Sequence, residues 1–215
     1  MQDGPPEKNG PTMAGIHGIT ALLQAIVDSS DDAIVSKTGD GIITSWNRAA
    51  EKMFGYSANE VLGQSIRLII PPELQAEEDY VLHEIRRGNR IDHYETVRQA
   101  KNGRRVDISL TVSPIRNTQG TVVGASKIAR DITDRKRLES LLSAVVNNSS
   151  DHIVSTNLDG IITSWNGGAE KMFGYSASEA IGQSIRLIIP PDFHAEEDYV
   201  LDQIRRGERV KHYET

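Results

Sequence analysis

Residues 40–47 read DGIITSWN, and residues 159–166 read DGIITSWN again. The repetition spreads outward from these blocks. Residues 26–96 and 145–215 align without a gap at an offset of 119, and 50 of the 71 positions are identical. The shared text continues as AEKMFGYSA, GQSIRLIIPP, AEEDYVL, IRRG and HYET. Self-similarity at a long fixed period marks one folding unit used more than once, so the unit has to be read before the chain.

Residues 20–29 (TALLQAIVDS) have helical spacing, with Leu22, Leu23, Ile26 and Val27 on one side. Residues 33–36 and 41–46 are short β-rich runs separated by KTGD, which predicts a hairpin whose turn uses Gly39 and Gly41. Asn47 stands where an N-cap belongs, before a short helix that Gly55 ends. Ser57 with Glu60 three residues on is a capping box, and Gly63 closes that turn. Pro71 and Pro72 stop any regular element. Residues 73–87 return to helical spacing, with Leu74, Val81, Leu82 and Ile85 inward and Gly88 as the stop. Asn102-Gly103 then joins two β runs, 91–100 and 104–115. In the second of these, Val106, Ile108, Leu110 and Val112 alternate with polar residues, the mark of a sheet with one buried face. Residues 121–130 supply the last strand. Two strands, several short helices and a three-stranded meander make an α+β unit with one sheet face roofed by helices.

Composition narrows the function. The 215 residues carry no cysteine, which excludes disulfides, thiolate metal sites and thiol catalysis, and fits a cytoplasmic location. A net charge of −6 argues against nonspecific binding of nucleic acid. Apolar runs are only a few residues long, so no membrane span is expected. Residues 1–19, rich in Pro, Gly and charge at their start, read as a disordered leader. Walker, GxSxG and HExxH motifs are absent, and no enzymatic activity is expected of these residues.

The ordered set IITSWN (42–47), AEKMFGYS (50–57), Gly63 before the double proline, the KNGRR hairpin and Asp131-Ile132-Thr133 resembles a PAS sensory domain, as in the sensor region of bacterial PAS histidine kinases. The resemblance implies tandem PAS domains: 20–133 with its N-terminal helix, a helical connector at 134–146, and 147–215, which stops within the third strand and would lack the last two. It also implies a five-stranded antiparallel sheet cupping a pocket, here with Trp46, Met53, Phe54, Ile66, Leu82, Ile85, Ile108 and Leu110 as candidate lining. The identity of any cofactor is unknown from sequence. Haem-binding relatives carry a histidine on the long helix, where this chain has Glu78 and Glu197, and a carboxylate is a poor proximal ligand. His83 and His194 fall elsewhere on the helix. Cysteine-based flavin photochemistry is excluded, while noncovalent flavin, and with it a haem- or flavin-binding redox sensor, stays open as an alternative. Trp46 and Trp165 read as core or rim residues rather than as flavin-stacking groups.

The acidic runs 77–79 and 196–198 read as water-facing carboxylates in the first turns of a helix, not as a metal cluster. His93 and His212 read as structural strand residues, and Arg86-Arg87 and Arg205-Arg206 as solvated helix ends. In the resemblance, Asp131, Ile132 and Thr133 hand the sheet over to an output helix in which Leu138, Leu141 and Val145 form an a–d–a seam. That seam points to a homodimer through flanking helices, and the resemblance implies a histidine kinase or another output domain as partner. Arg48-Ala49 becomes Gly167-Gly168 in the second copy, a cost of roughly 1 kcal/mol per glycine in a helix.

Overall fold

The first hairpin forms where the apolar alternation requires it. In β1 (Ala33–Thr38) every second residue is buried, beginning with Ala33 and Val35. β2 (Ile43–Trp46) pairs antiparallel with it, Val35 opposite Trp46. Of the two turn glycines, only Gly41 takes the left-handed conformation, at φ 85°. The structure, a computed structural model, describes residues 13–208, with side chains from residue 18. They divide into two units after Lys136.

In the first unit α1 (Met13–Asp28) precedes the hairpin. The leader expected at 1–19 is corrected accordingly: its residues 13–19 are helical, and 1–12 lie outside the described residues. Next come α2 (Arg48–Phe54), α3 (Ala58–Val61), two 3-10 turns (Ile66–Ile69 and Pro72–Leu74) and α4 (Gln75–Arg86). The meander β3 (Ile91–Gln99), β4 (Arg105–Arg116) and β5 (Val122–Asp131) completes a five-stranded antiparallel sheet in the order β2-β1-β5-β4-β3. The last strand is therefore central and joins the first hairpin to the β3–β4 pair. A bulge between Ile91 and Tyr94 places His93 at φ 51°. Val106, Ile108, Leu110 and Val112 all face the core, together with Phe54, Ile66, Val81 and Ile85 from the helical roof.

Asn47 does more than cap a helix. Its Oδ1 accepts from Ala50 N and Ile34 N, both at 2.9 Å, while Nδ2 donates to Val27 O at 3.0 Å and Asp32 O at 3.1 Å. One buried amide thus ties the end of α1, the start of β1 and the first turn of α2. At the other end of α2, Gly55 adopts φ 74° and the KNGRR hairpin satisfies the terminal carbonyls. Lys101 N donates to Phe54 O at 2.8 Å and the Arg104 guanidinium to Met53 O at 3.0 Å.

The second unit begins in α5 (Thr133–Asn148) and repeats the same plan through β6 (Val154–Thr156), β7 (Ile162–Trp165), α6 (Gly167–Phe173), α7 (Ala177–Ala180) and α8 (His194–Arg205). Asn166 reproduces all four bonds of Asn47. A Cβ on Gly168 would stand 2.3 Å from Asp151 O, so the chain passes too close for the alanine of the first copy. The glycine pair is a packing adaptation as well as a helix penalty. Counterparts of the roof are more open here: Met172 is 63% exposed against 9% for Met53. The expected third strand with His212 lies outside the described residues.

Replacing Asn47 with Ala strips partners from two buried N–H groups and two carbonyls. We expect a loss of about 2–4 kcal/mol in the first unit. Urea melts of a Trp165→Phe background, in which Trp46 alone reports, measure it.

Candidate functional site

β1 and β5 each turn a lysine into the core, at a position that alternation reserves for apolar residues. Lys37 follows Ala33 and Val35 inward, and Lys127 lies between inward Ala125 and Ala129. Facing them from α4 is Glu78, on the same helical face as Val81 and Ile85. All three are shut away from water, at 1% exposure for Lys37, 5% for Lys127 and 1% for Glu78. One carboxylate oxygen of Glu78 pairs with Lys37 and the other accepts from Lys127 Nζ at 2.7 Å. The roof helix is thereby clamped to two adjacent strands.

A second pair sits beside the first. Arg98 of β3, 2% exposed, donates from Nη1 to Glu77 Oε2 at 2.9 Å, to Thr96 Oγ1 at 3.0 Å and to Val97 O at 2.7 Å. Thr96 Oγ1 also donates to Glu77. The expectation that residues 77–79 all face water is therefore corrected for Glu77 and Glu78. The helix dipole favours carboxylates there, but buried cations from three strands draw these two inward. Only Asp79 keeps to the surface, paired with Arg67.

Burial governs the protonation of the cluster. It pushes Lys127 down to about 7, with Lys37 adding to the effect and Glu78 opposing it. Burial lowers Lys37 as well, against the pull of Glu78. Burial alone would raise the Glu78 carboxyl, but the two ammonium groups outweigh it and hold it below the usual carboxylate range. In the second copy Thr156 stands where Lys37 does, and burial raises the carboxyl of the equivalent Glu197, against the pull of Arg186.

Between cluster and sheet lies a cavity of about 20 Å³, lined by Phe54, Ile66, Ile108 and Leu110 among others, with Arg98 and Lys127 as its charged walls. Of the eight candidate lining residues, these first four reach it. Trp46, Met53 and Ile85 belong to the surrounding core, and Leu82 is half-buried beside Gly41. Trp46 donates from Nε1 to Tyr56 O at 3.1 Å, and Trp165 makes the same bond to Tyr175 O at 2.9 Å. The residues present do not fit haem. The expected ligand position is Glu78, both of whose oxygens are committed to lysines, and a space of 20 Å³ admits neither haem nor flavin without displacing the core.

A junction leads out of the cup. Ile132 is buried and its N–H donates to Asp107 O at 2.9 Å. Thr133 N donates to Asp131 Oδ1 at 2.9 Å, Thr133 Oγ1 accepts from Asp107 N at 3.2 Å, and Lys136 Nζ reaches Asp107 at 3.1 Å. Beyond it, Leu138, Leu141, Leu142 and Val145 are exposed along α5, as Leu22, Leu23 and Ile26 are along α1.

A family model described as PAS fold matches residues 21–132 and 140–215. The chain belongs to the PAS family. A PAS domain structure from Colwellia psychrerythraea superposes with a TM-score of 0.50 at 28% identity, covering 54% of this chain and 99% of that one. Among curated relatives, the signal transduction histidine-protein kinase AtoS of Escherichia coli is 28% identical over 55% of this chain and 19% of its own length. The oxygen sensor protein DosP of the same organism is 28% identical over 74% of this chain and 21% of its own. The chain thus spans about a fifth of these two PAS relatives. Among the described residues no helix is long and apolar enough to cross a membrane.

The sequence reading passed over Lys37, Glu77, Arg98 and Lys127 as site residues. For Lys37 and Lys127 a signal is present, as charged side chains in phase with an apolar alternation; Glu77 and Arg98 carry none.

Stability should report this cluster. Unfolded Lys127 stays protonated up to about pH 10.5, whereas the folded residue releases its proton near 7, so the unfolded state binds more protons between these values. First-unit stability is therefore expected to rise by about 2 kcal/mol from pH 7 to 9, and to rise less in Lys127→Met. At pH 7, Glu78→Gln, which strands two buried ammonium groups, should cost about 3–5 kcal/mol. Urea melts at the two pH values check both.

Proposed function

We propose that this chain is a cytoplasmic, non-catalytic sensory segment. The state of its PAS cup is passed along flanking helices to an output domain or partner of kinase type. The observation that carries this reading is the continuity of β5 with α5. Lys127 and Ala129 of β5 wall the cavity, and three and four residues after Ala129, Ile132 and Thr133 are locked to Asp107 as the helix begins. A shift of the central strand is thus a shift of the first turn of α5. The relatives named as a histidine kinase and an oxygen sensor support signal sensing as the role. The exposed apolar stripes of α1 and α5 support pairing of two chains through these helices, because aligned leucines on a helix need a covering face.

The smallness of the first unit's cavity favours a second reading, in which that unit binds no organic ligand and acts as an interaction scaffold.

Two measurements test the proposal. Hydrogen exchange of the full chain should show faster exchange of α5 amides, residues 137–146, in Lys127→Met than in wild type; unchanged exchange there overturns the relay. Light scattering should give a dimer mass for wild type and a monomer mass for Leu138→Asp/Leu141→Asp. A monomer at all concentrations overturns the pairing.

A further inference from the structure

The charges inside the first cup do not balance. Lys37, Lys127 and Arg98 face only Glu77 and Glu78, leaving one excess positive charge when both lysines are protonated. A donor is also left over. Nη2 of Arg98 is the one buried side-chain nitrogen or oxygen without a hydrogen-bond partner among the described residues. A buried guanidinium nitrogen in that condition has given up its water without a replacement partner, which is unfavourable. Arg98 and Lys127 are the only polar side chains lining the cavity of about 20 Å³, and the other eight are apolar.

We infer that this cavity is a site for one small inorganic anion of halide size, held between the Arg98 guanidinium and the Lys127 ammonium. Volume and donor chemistry choose between the candidates. About 20 Å³ holds a single water or a monatomic ion, and nothing the size of sulfate or an organic acid. A water would receive bonds from two cations and then aim its own hydrogens at hydrocarbon, since no lining side chain is an acceptor. A halide accepts both donors and has no hydrogens to place. It also cancels the excess charge, which a water cannot do.

Proton and anion are coupled by the same geometry. Lys37 from β1, Glu77 and Glu78 from α4, Arg98 and half-buried Tyr94 from β3, and Lys127 from β5 are the titratable groups packed around the site. Lys127 is the member that releases its proton near neutrality, so an anion stabilises its protonated form and binds more weakly as pH rises past about 7. This deepens the sensory reading by naming a ligand class for the same cup, and it rests on that reading only for its signalling consequence.

The test uses the full chain with Trp165→Phe, so that Trp46 reports the first unit. Chloride is titrated against gluconate at constant ionic strength. The expected result is a saturable rise in melting temperature at pH 6.5 that is much reduced at pH 9, with apparent affinity weakened about tenfold or more in Arg98→Lys. Bromide-soaked crystals of the unaltered protein should show an anomalous peak against Arg98 Nη2, an observation independent of any variant's folding. A melting temperature that does not change as chloride replaces gluconate, or a water and no bromide in the cavity, overturns the inference. Chloride binding without any change in α5 hydrogen exchange leaves the anion site standing and sinks the relay. Exchange that responds to Lys127→Met without chloride binding does the reverse.

Discussion

The first unit is organised around a carboxylate held by two ammonium groups out of reach of water. Lys37 and Lys127 come from neighbouring strands, and Glu78 from the helix that roofs them. Each charge alone would cost several kcal/mol to desolvate, so the three persist only as a set. An apolar trio of similar volume would hold the roof at least as firmly. What the ionic version adds is direction: Glu78 has one arrangement that serves both lysines, and α4 takes its position from it.

That constraint explains why the cup is nearly full. The space left between sheet and helices is about 20 Å³, with the Arg98 and Lys127 side chains among its walls. Arg98 and Lys127 share its wall with Phe54, Ile66 and Leu110, while their charged ends pair with Glu77 and Glu78 of the roof helix. The same strand that carries Lys127 runs on to Asp131, so the most electrostatically loaded part of the core adjoins the exit to α5.

Much of the architecture was legible because local rules and tertiary demands agree. DGIITSWN states its hairpin and cap directly, Ser57 and Glu60 form the expected capping box, and the alternation through Val106 and Val112 assigns the buried face. The interior charges were less legible for a physical reason. A lysine in a strand is ordinarily sent to the outer face, and only pairing across 41 and 49 residues makes Lys37 and Lys127 tolerable inside. Glu78 was hidden similarly, because a carboxylate in the first turns of a helix has an adequate explanation at the surface. Register was nonetheless a usable clue: Lys37 keeps step with Ala33 and Val35, and Glu78 with Val81 and Ile85. The start of α1 at Met13 was concealed by the polar, proline-rich text that precedes it.

Near-identical neighbours on one chain are prone to exchanging strands during folding. β6 and β7 repeat the register of β1 and β2, Val154 opposite Trp165 as Val35 opposes Trp46. Backbone pairing alone would therefore let β6 take the place of β1 beside β5. Thr156 is where the difference tells. A sheet built with the wrong copy would keep Lys127 on Glu78 but lose the Lys37 partner of its other carboxylate oxygen, so the mispaired product would bury an unpaired acceptor. Lys37 accordingly works as an address label, distinguishing a strand from its own duplicate.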